Sequence, residues 1–498
     1  MNEAVKQTLL APVYDVSTIT PLQQAARLSG QYGNDIYLKR EDLQPIHSFK
    51  IRGAYNKMVH LTAEERRNGV IAASAGNHAQ GVALSARKLG IPATIVMPQT
   101  TPEIKVRAVK DYGADVILAG DNYSEAYEAC RDVMASSGQT LIHPFDDEMV
   151  IAGQGTVGRE ILEQLPDVDY IFIPVGGGGL IAGIAQYIKA LRPDVRIIGV
   201  EPDDSNAMQA SLQAGERLTL PHVGVFADGV AVKQVGSLTY DICKRYVDDI
   251  VTIDNDAICA AIKQIFEETR SIVEPAGALS LAGATAYLNS HGLRHKKIVT
   301  ICSGANMSFE KLQFIAERTL LGSGREALFA VELSERPGAL TDLCAKIVGK
   351  HNITAFSYRL KSRESATIFI GINLASETDR TKLMQALRAN GYKFTDYSSD
   401  DVVKEHVRHM IGGTTSAATN EHIYLVNFPE RPGALADFLQ RSGKQFNISL
   451  FHYRGQGGDV GSVMIGFEAS EARQLETAIA ATGYDHTPVK SAALRSFL

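Results

Sequence analysis

Four short stretches hold residues whose types and spacing could do chemistry. The first is His47-Ser48-Phe49-Lys50-Ile51-Arg52-Gly53-Ala54-Tyr55-Asn56-Lys57-Met58. Lys50 stands between Phe49 and Ile51, with the acidic pair Glu41-Asp42 just upstream. A lysine in apolar surroundings loses hydration of its charged form, so its pKa falls. A neutral amine can then attack a carbonyl and form a Schiff base. The competing reading is a surface lysine on an amphipathic helix, since buried lysines are rare.

The second stretch is Ser74-Ala75-Gly76-Asn77-His78-Ala79-Gln80-Gly81, after an apolar run and at the start of a helical pattern. Asn77 is expected to cap that helix. Helix N-termini offer free N–H groups and a positive dipole end, which suits a substrate carboxylate. The Asn77 side chain could also hydrogen-bond a hydroxyl. The alternative is a turn with a routine cap and no ligand. In the third stretch, Val175-Gly176-Gly177-Gly178-Gly179-Leu180, four glycines join an apolar strand to a helix. Such a backbone can aim several N–H groups at one phosphate. Gly177, Gly179 and Ala182 also satisfy GxGxxA, and Glu201 ends the next strand candidate, so a nicotinamide-binding domain is a rival. The fourth is Val299-Thr300-Ile301-Cys302-Ser303-Gly304-Ala305-Asn306. Ser303 should emerge at the carboxyl edge of a strand, where its hydroxyl could meet a ring nitrogen or serve only a turn.

These stretches need a frame. Strand candidates are Val70–Ser74, Ala93–Met97, Asp115–Leu118, Thr140–His143, Tyr170–Val175, Arg196–Val200 and Lys297–Cys302. Most are Val/Ile-rich and bounded by turn formers. Helical patterns such as His78–Leu89, Tyr123–Ala135 and Ala257–Thr269 alternate with them. The alternation implies βαβ units and a largely parallel sheet covered on both faces. Ligands of such sheets bind at the carboxyl ends of strands, where all the later motifs fall.

Near residue 320 the character changes, and Leu321-Gly322-Ser323-Gly324 reads as a linker. Beyond it, Glu335-Arg336-Pro337-Gly338-Ala339-Leu340 recurs as Glu430-Arg431-Pro432-Gly433-Ala434-Leu435, a shift of 95 residues. The same shift carries Asn352-Ile353 onto Asn447-Ile448 and Tyr358-Arg359 onto Tyr453-Arg454. This is a duplicated module. Each copy has the βαββαβ order of a ferredoxin-like fold. Gly412 to Thr419 is a polar joint between them.

The 498 residues allow two to four domains. A net charge of −6 with no basic cluster argues against nucleic acid. Five scattered cysteines without a CxxC pair fit a reducing cytoplasm and no cysteine-based zinc site. The start has no basic region followed by an apolar one, so no signal peptide is expected. The uncharged run Tyr170 to Ile188 contains Pro174 and the four glycines, and turn chemistry explains it better than a membrane span.

Ser48-Phe49-Lys50-Ile51-Arg52-Gly53-Ala54, Ser74-Ala75-Gly76-Asn77-His78, Gly176 to Gly179 and Ser303-Gly304-Ala305-Asn306 occur in the order seen in fold-type II pyridoxal-phosphate enzymes. The first motif looks most like that of threonine and serine dehydratases. The repeated tail resembles the tandem ACT-like domains of biosynthetic threonine dehydratases. The resemblance covers essentially the whole chain. It implies a two-lobed, parallel-sheet α/β catalytic domain of the tryptophan synthase β-like type at residues 1–320. Two ferredoxin-like, ACT-like α+β regulatory domains would follow at 325–400 and 420–498. The implied activity is conversion of L-threonine to 2-oxobutanoate and ammonia, for isoleucine synthesis, with pyridoxal 5'-phosphate as cofactor. L-Serine would be a poorer substrate. Serine dehydration, racemisation or β-replacement on the same fold is the near alternative.

By this resemblance Lys50 would carry the cofactor as a Schiff base and later act as base. Gly176, Gly177, Gly178, Gly179 and Leu180 would hold its phosphate. Asn77 would meet its ring hydroxyl, and Ser303 its pyridine nitrogen. Ser74, Gly76 and Asn77 would take the substrate carboxylate, with Ser74 also a catalytic candidate. A neutral serine should leave the ring nitrogen largely unprotonated, which favours elimination over a long-lived carbanion. Some relatives of this fold carry a divalent cation near the segment matching Phe226-Ala227-Asp228-Gly229. Asp228 and Glu201 could supply oxygens, but Val230-Ala231-Val232 adds no carboxylate, so no metal is assigned. The tail implies isoleucine and valine as opposing effectors, with Tyr358 and Tyr453 as contacts beside Phe356, Arg359, Phe451 and Arg454. The family implies a homotetramer.

Overall fold

The computed structural model describes residues 3–322 and, beyond them, 325–334, 342–343, 346–347, 351, 353–360, 365–407, 420–429, 438, 441, 446–453 and 460–490. It divides into two compact units, Met1–Phe309 and Glu310–Leu498.

Among the described residues, the first unit has ten strands: β1 Leu22–Gln24, β2 Asp35–Lys39, β3 Val70–Ala73, β4 Ala93–Met97, β5 Asp115–Leu118, β6 Thr140–Leu141, β7 Tyr170–Pro174, β8 Arg196–Pro202, β9 Asp249–Ile253 and β10 Lys297–Ile301. They build two sheets, one per lobe. The larger has the order β1-β2-β10-β7-β8-β9 and the smaller β5-β4-β3-β6. Every pairing is parallel except β1 with β2. The central strands are buried along most of their length, as expected when helices cover both faces. Each lobe has its own apolar core. One gathers Ile171, Ile173, Ile181, Ile184, Ile197 and Ile301; the other gathers Val70, Val82, Ile95 and Ile142.

The strands β4 and β5 have the expected bounds. β3, β6, β7 and β10 end one or two residues early, because the next residues turn into site loops. β1, β2 and β9 lie outside the expected pattern. β2 ends on Lys39, a charged residue that a buried strand accepts because Glu160 meets it at 2.6 Å from a distant helix and the Thr20 carbonyl and Gln164 take its other hydrogens.

In the second unit, β11 Glu326–Ser334, β12 Ile353–Leu360, β13 Ser365–Asn373 and β14 Phe394–Asp396 form one antiparallel sheet in the order β12-β13-β11-β14. β15 Glu421–Pro429, β16 Asn447–Tyr453, β17 Val460–Glu468 and β18 His486–Pro488 form another in the order β16-β17-β15-β18. This is the ferredoxin-like topology, twice. The duplication reaches the hydrogen-bond register. Tyr358 faces Ile368 as Tyr453 faces Val463, and a register shift at Ile353/Ala355 returns at Ile448/Leu450. Leu328, Ala330 and Phe369 from one sheet share a core with Met464, Ile423 and Leu425 from the other.

Both Glu-Arg-Pro-Gly-Ala-Leu hexapeptides, Ser323-Gly324, Gly412 to Thr419 and Arg454 lie outside the described residues. Tyr358 and Tyr453 are placed on β12 and β16 by their backbones, and their side chains lie outside the description. Among the described residues, no helix is long and apolar enough to cross a membrane.

Candidate active site

Lys50 is the first residue of the helix Lys50–Val59. The loop before it is zipped to the loop after β10. Phe49 N–H donates to the Ser303 carbonyl at 3.2 Å, and Ala305 N–H donates to the His47 carbonyl at 2.9 Å. Ser48 and Gly304 form an antiparallel bridge between them. The first and fourth motifs, some 250 residues apart in the chain, are therefore main-chain neighbours. His47 bends the loop with a left-handed φ of 55°.

The Lys50 ammonium donates to the Pro144 carbonyl at 2.9 Å and lies 5.4 Å from the Phe49 ring centroid. Burial pushes its pKa down to about 8, while the charge of Glu274 opposes the fall. At pH 7 roughly a tenth of the amine is then neutral, against well under a thousandth for an ordinary lysine. Two imidazoles lie nearby. Burial, with Lys50's charge second, pushes His78 down to about 3, so its ring is neutral and Nε2–H donates to the Ile142 carbonyl at 2.7 Å. Burial also lowers His143, whose Nδ1 accepts from Asp146 N–H at 2.8 Å and Phe145 N–H at 3.3 Å.

Glu41 and Asp42 do not face the Lys50 amine. Arg52 Nη2 and Nε each donate to Glu41 at 2.8 Å, and Arg52 Nη1 donates to Glu160 at 2.6 Å. Arg40 takes Asp42 at 2.7 Å. Lys39, Glu41, Arg52 and Glu160 are all fully buried. Two cations balance two anions inside the protein, and the network clamps the Lys50 helix to β2 and to the helix Glu148–Gln164.

The second motif departs from the expected cap. Gly76 is the N-cap and Asn77 is the first helical residue. Ser74 Oγ accepts from Gly76 N–H at 3.3 Å and so folds the turn. The amide of Asn77 works sideways instead. Its Nδ2 donates to Glu274 Oε1 at 2.7 Å, and its Oδ1 accepts from Asn306 Nδ2 at 2.6 Å. Glu274 precedes the helix Pro275–His291 but makes no side-chain cap bond there. Glu274 and Asn306 carry no role in the sequence reading. A Glu-Pro at a helix start is a signal for Glu274, but its partner is 197 residues away. Ser303 is buried, and its hydroxyl donates to the Ala276 carbonyl at 3.2 Å.

The tetraglycine loop is glycine by necessity at two levels. Gly178 has φ of 95°, and a Cβ there would come 2.8 Å from Thr239 Cβ. Gly176 and Gly177 have ordinary φ but no room. A Cβ would meet Val230 Cα at 2.9 Å or the Phe145 ring at 2.2 Å. The Thr239 hydroxyl donates to the Gly177 carbonyl at 2.6 Å and fixes the loop. The helix Gly179–Leu191 starts here, so its first N–H groups point into the loop.

Glu201 is not available to a ribose. Its carboxylate accepts from Met208 N–H at 2.9 Å and Gln209 N–H at 2.8 Å, and burial raises it to about 8 against those bonds. Asp228 pairs with Lys105 at 3.0 Å. Among the described residues, no group of three or more His, Cys, Asp or Glu side chains is placed to hold a metal.

A two-sheet α/β unit with a lysine of lowered pKa at one helix start and a close-packed glycine loop at another is the setting a pyridoxal-phosphate-dependent enzyme needs. Comparison with known proteins agrees. Residues 13–304 match the family described as pyridoxal-phosphate dependent enzyme. Residues 317–407 and 412–497 match the C-terminal regulatory domain of threonine dehydratase. The chain is 48% identical over 491 residues to the biosynthetic L-threonine dehydratase of Burkholderia multivorans, covering 97% of each. It is 46% identical to that of Escherichia coli over 499 residues, covering 100% of this chain and 97% of that one. The solved processed form of threonine deaminase isoform 2 from Solanum lycopersicum matches with a TM-score of 0.63 at 49% identity, over 64% of this chain and 92% of that one. The chain belongs to the biosynthetic threonine dehydratase family, pyridoxal-phosphate-dependent lyases with a C-terminal regulatory region.

The residues present fit the cofactor. The cradle at Gly176 to Gly178 is closed to any side chain, and the amine at Lys50 has a depressed pKa. Ser303 is buried one loop away, and its hydroxyl can turn from Ala276 to another partner.

Proposed function

We propose that this chain eliminates water from L-threonine and releases 2-oxobutanoate and ammonia, with Lys50 as the reactive amine. When bound, pyridoxal phosphate supplies the electron sink that acidifies the substrate's Cα–H bond. The chain's own residues supply placement. Lys50 would hold the cofactor through its amine, and the same amine would take the proton from the substrate's Cα. Its depressed pKa suits both tasks. Backbone N–H groups of Gly176 to Gly179 and Leu180 hold the phosphate. Ser74, Gly76 and Asn77 hold the substrate carboxylate at the start of a helix. Asn77 also meets the ring hydroxyl. Ser303 offers the ring nitrogen a neutral partner.

The observation that carries the reading is the zipping of the Lys50 loop onto the Ser303 loop. It fixes the amine relative to the group assigned to the ring nitrogen. Replacing Lys50 with Ala tests it: visible Schiff-base absorption and turnover should both vanish. A yellow, active variant overturns the assignment. Racemisation or β-replacement on the same site is separated by its product, since only dehydration of threonine yields 2-oxobutanoate.

We propose further that catalysis resides in residues 1–320 and control in 325–400 and 420–498. Isoleucine as inhibitor and valine as its antagonist act on the tail, at contacts that include Tyr358 and Tyr453. The doubled register places those tyrosines at equivalent positions, as a paired effector site requires. Coupling needs two states of different effector affinity. A homotetramer working in the cytoplasm completes the proposal.

A further inference from the structure

Asn306 lies three residues beyond Ser303 in the same loop, and its amide belongs to a relay whose two ends are fixed. Asn306 Nδ2 donates to the Ile46 carbonyl at 2.7 Å and to Asn77 Oδ1 at 2.6 Å. Asn77 Nδ2 donates to Glu274 Oε1 at 2.7 Å. A peptide carbonyl can only accept, so the nitrogen of Asn306 must face Ile46. That nitrogen carries a second hydrogen, which requires an oxygen on the neighbouring amide. Asn77 therefore turns its oxygen to Asn306 and its NH2 to the side of Glu274. Only one of the two Asn77 N–H bonds is used by Glu274. The relay is also crowded. A Cβ on Gly304 would lie 2.3 Å from Glu274 Oε1 and 3.2 Å from Asn77 Nδ2.

We propose that Asn306 is a positioning residue: it locks the Asn77 amide so that its nitrogen, not its oxygen, is available to the ring hydroxyl of pyridoxal phosphate. The proposal rests on the reading of Asn77 as the contact to that hydroxyl. An N–H donor stabilises the ionised ring oxygen, which belongs to the visible-absorbing form of the bound cofactor. An amide oxygen in the same place would repel it and favour the near-ultraviolet-absorbing form. The relay also ties Ile46, four residues before Lys50, to Glu274, whose charge acts on the Lys50 amine.

The test is the ratio of visible to near-ultraviolet cofactor absorbance in the full-length, pyridoxal-phosphate-loaded protein, with cofactor Kd measured alongside. Asn77→Ala should lower the ratio on the order of fivefold, the worth of one hydrogen bond. Asn306→Leu should lower it about twofold or more in the same direction, on the scale of part of that bond. The double variant should match Asn77→Ala alone, because the lock has nothing left to hold. If Asn306→Leu fails to fold, Asn306→Ser is judged by the same ratios. The positioning role is overturned if Asn306→Leu keeps the wild-type ratio while Asn77→Ala loses it. It is equally overturned if the two effects multiply in the double variant. A wild-type ratio in Asn77→Ala instead refutes the assigned contact on which the proposal stands.

Discussion

Removal of the Arg52 guanidinium should destabilise the catalytic unit more than almost any other single change. Arg52 is fully buried, and each of its two carboxylate partners accepts two of its hydrogen bonds, at 2.6 to 3.1 Å. Arg52→Met keeps an unbranched stem and removes one charge. Glu41 and Glu160 are then left with Lys39 alone, which bonds Glu160. Breaking a buried pair in this way costs about 3–5 kcal/mol, because one charge stays buried without its counterion. Domain stabilities are about 5–15 kcal/mol, so the loss is a large fraction. A second change, Glu41→Gln, removes the stranded charge. The double variant should therefore be more stable than Arg52→Met, an ordering opposite to additive damage. The chain has no tryptophan, so urea unfolding is followed by far-ultraviolet circular dichroism. The transition of the catalytic unit is read separately, since two units need not unfold together. pH adds a second signature. Burial pushes Glu41 upward, but Arg52 and its other partners hold it below the ordinary carboxylate value. Its stabilisation is present above that ordinary value and is lost as pH falls through the lower, folded value. Arg52→Met should flatten that acid loss. A double variant no more stable than the single one, or a single variant within about 1 kcal/mol of wild type, an ordinary cost for one substitution, refutes the reasoning.

Covalent addition of pyridoxal phosphate to the cofactor-free protein, followed by visible absorbance, should accelerate with pH and level off above about 8. Glu274→Gln should move that midpoint lower, because the charge of Glu274 raises Lys50; a midpoint that stays or rises contradicts the assignment. Gly177→Ala should raise the cofactor Kd by about tenfold or more, the factor for about 1.4 kcal/mol. Phe145→Ala in the same background should recover part of the loss by vacating the contact a Cβ would meet at 2.2 Å. Truncation after residue 320 should leave threonine turnover insensitive to isoleucine, while retained inhibition would place the effector site in the catalytic domain.

The second, third and fourth chemical stretches were legible because each sits where a strand ends, and strand ends are marked by β-branched runs and glycine. The doubled tail was legible because one shift aligns an entire hexapeptide, and the strand registers repeat with the same shift. What the sequence hid is long-range charge pairing. Lys39 and Arg52 look like surface cations, and Glu160, more than 100 residues away, joins Glu41 in making their burial tolerable. Glu41 lies near Lys50 along the chain, yet it pairs with Arg52. Glu274 and Asn306 look like ordinary loop residues until the fold brings Asn77 between them. The two sheets of the catalytic unit were likewise hidden, since alternation of strand and helix does not say which strands share a sheet.

The most direct measurement is borohydride reduction of the full-length protein loaded with pyridoxal phosphate, followed by digestion and peptide mass mapping. The account predicts the reduced pyridoxyl group on the peptide carrying Lys50, with the visible absorption lost on reduction. The group on any other lysine, with Lys50 unmodified, would contradict it.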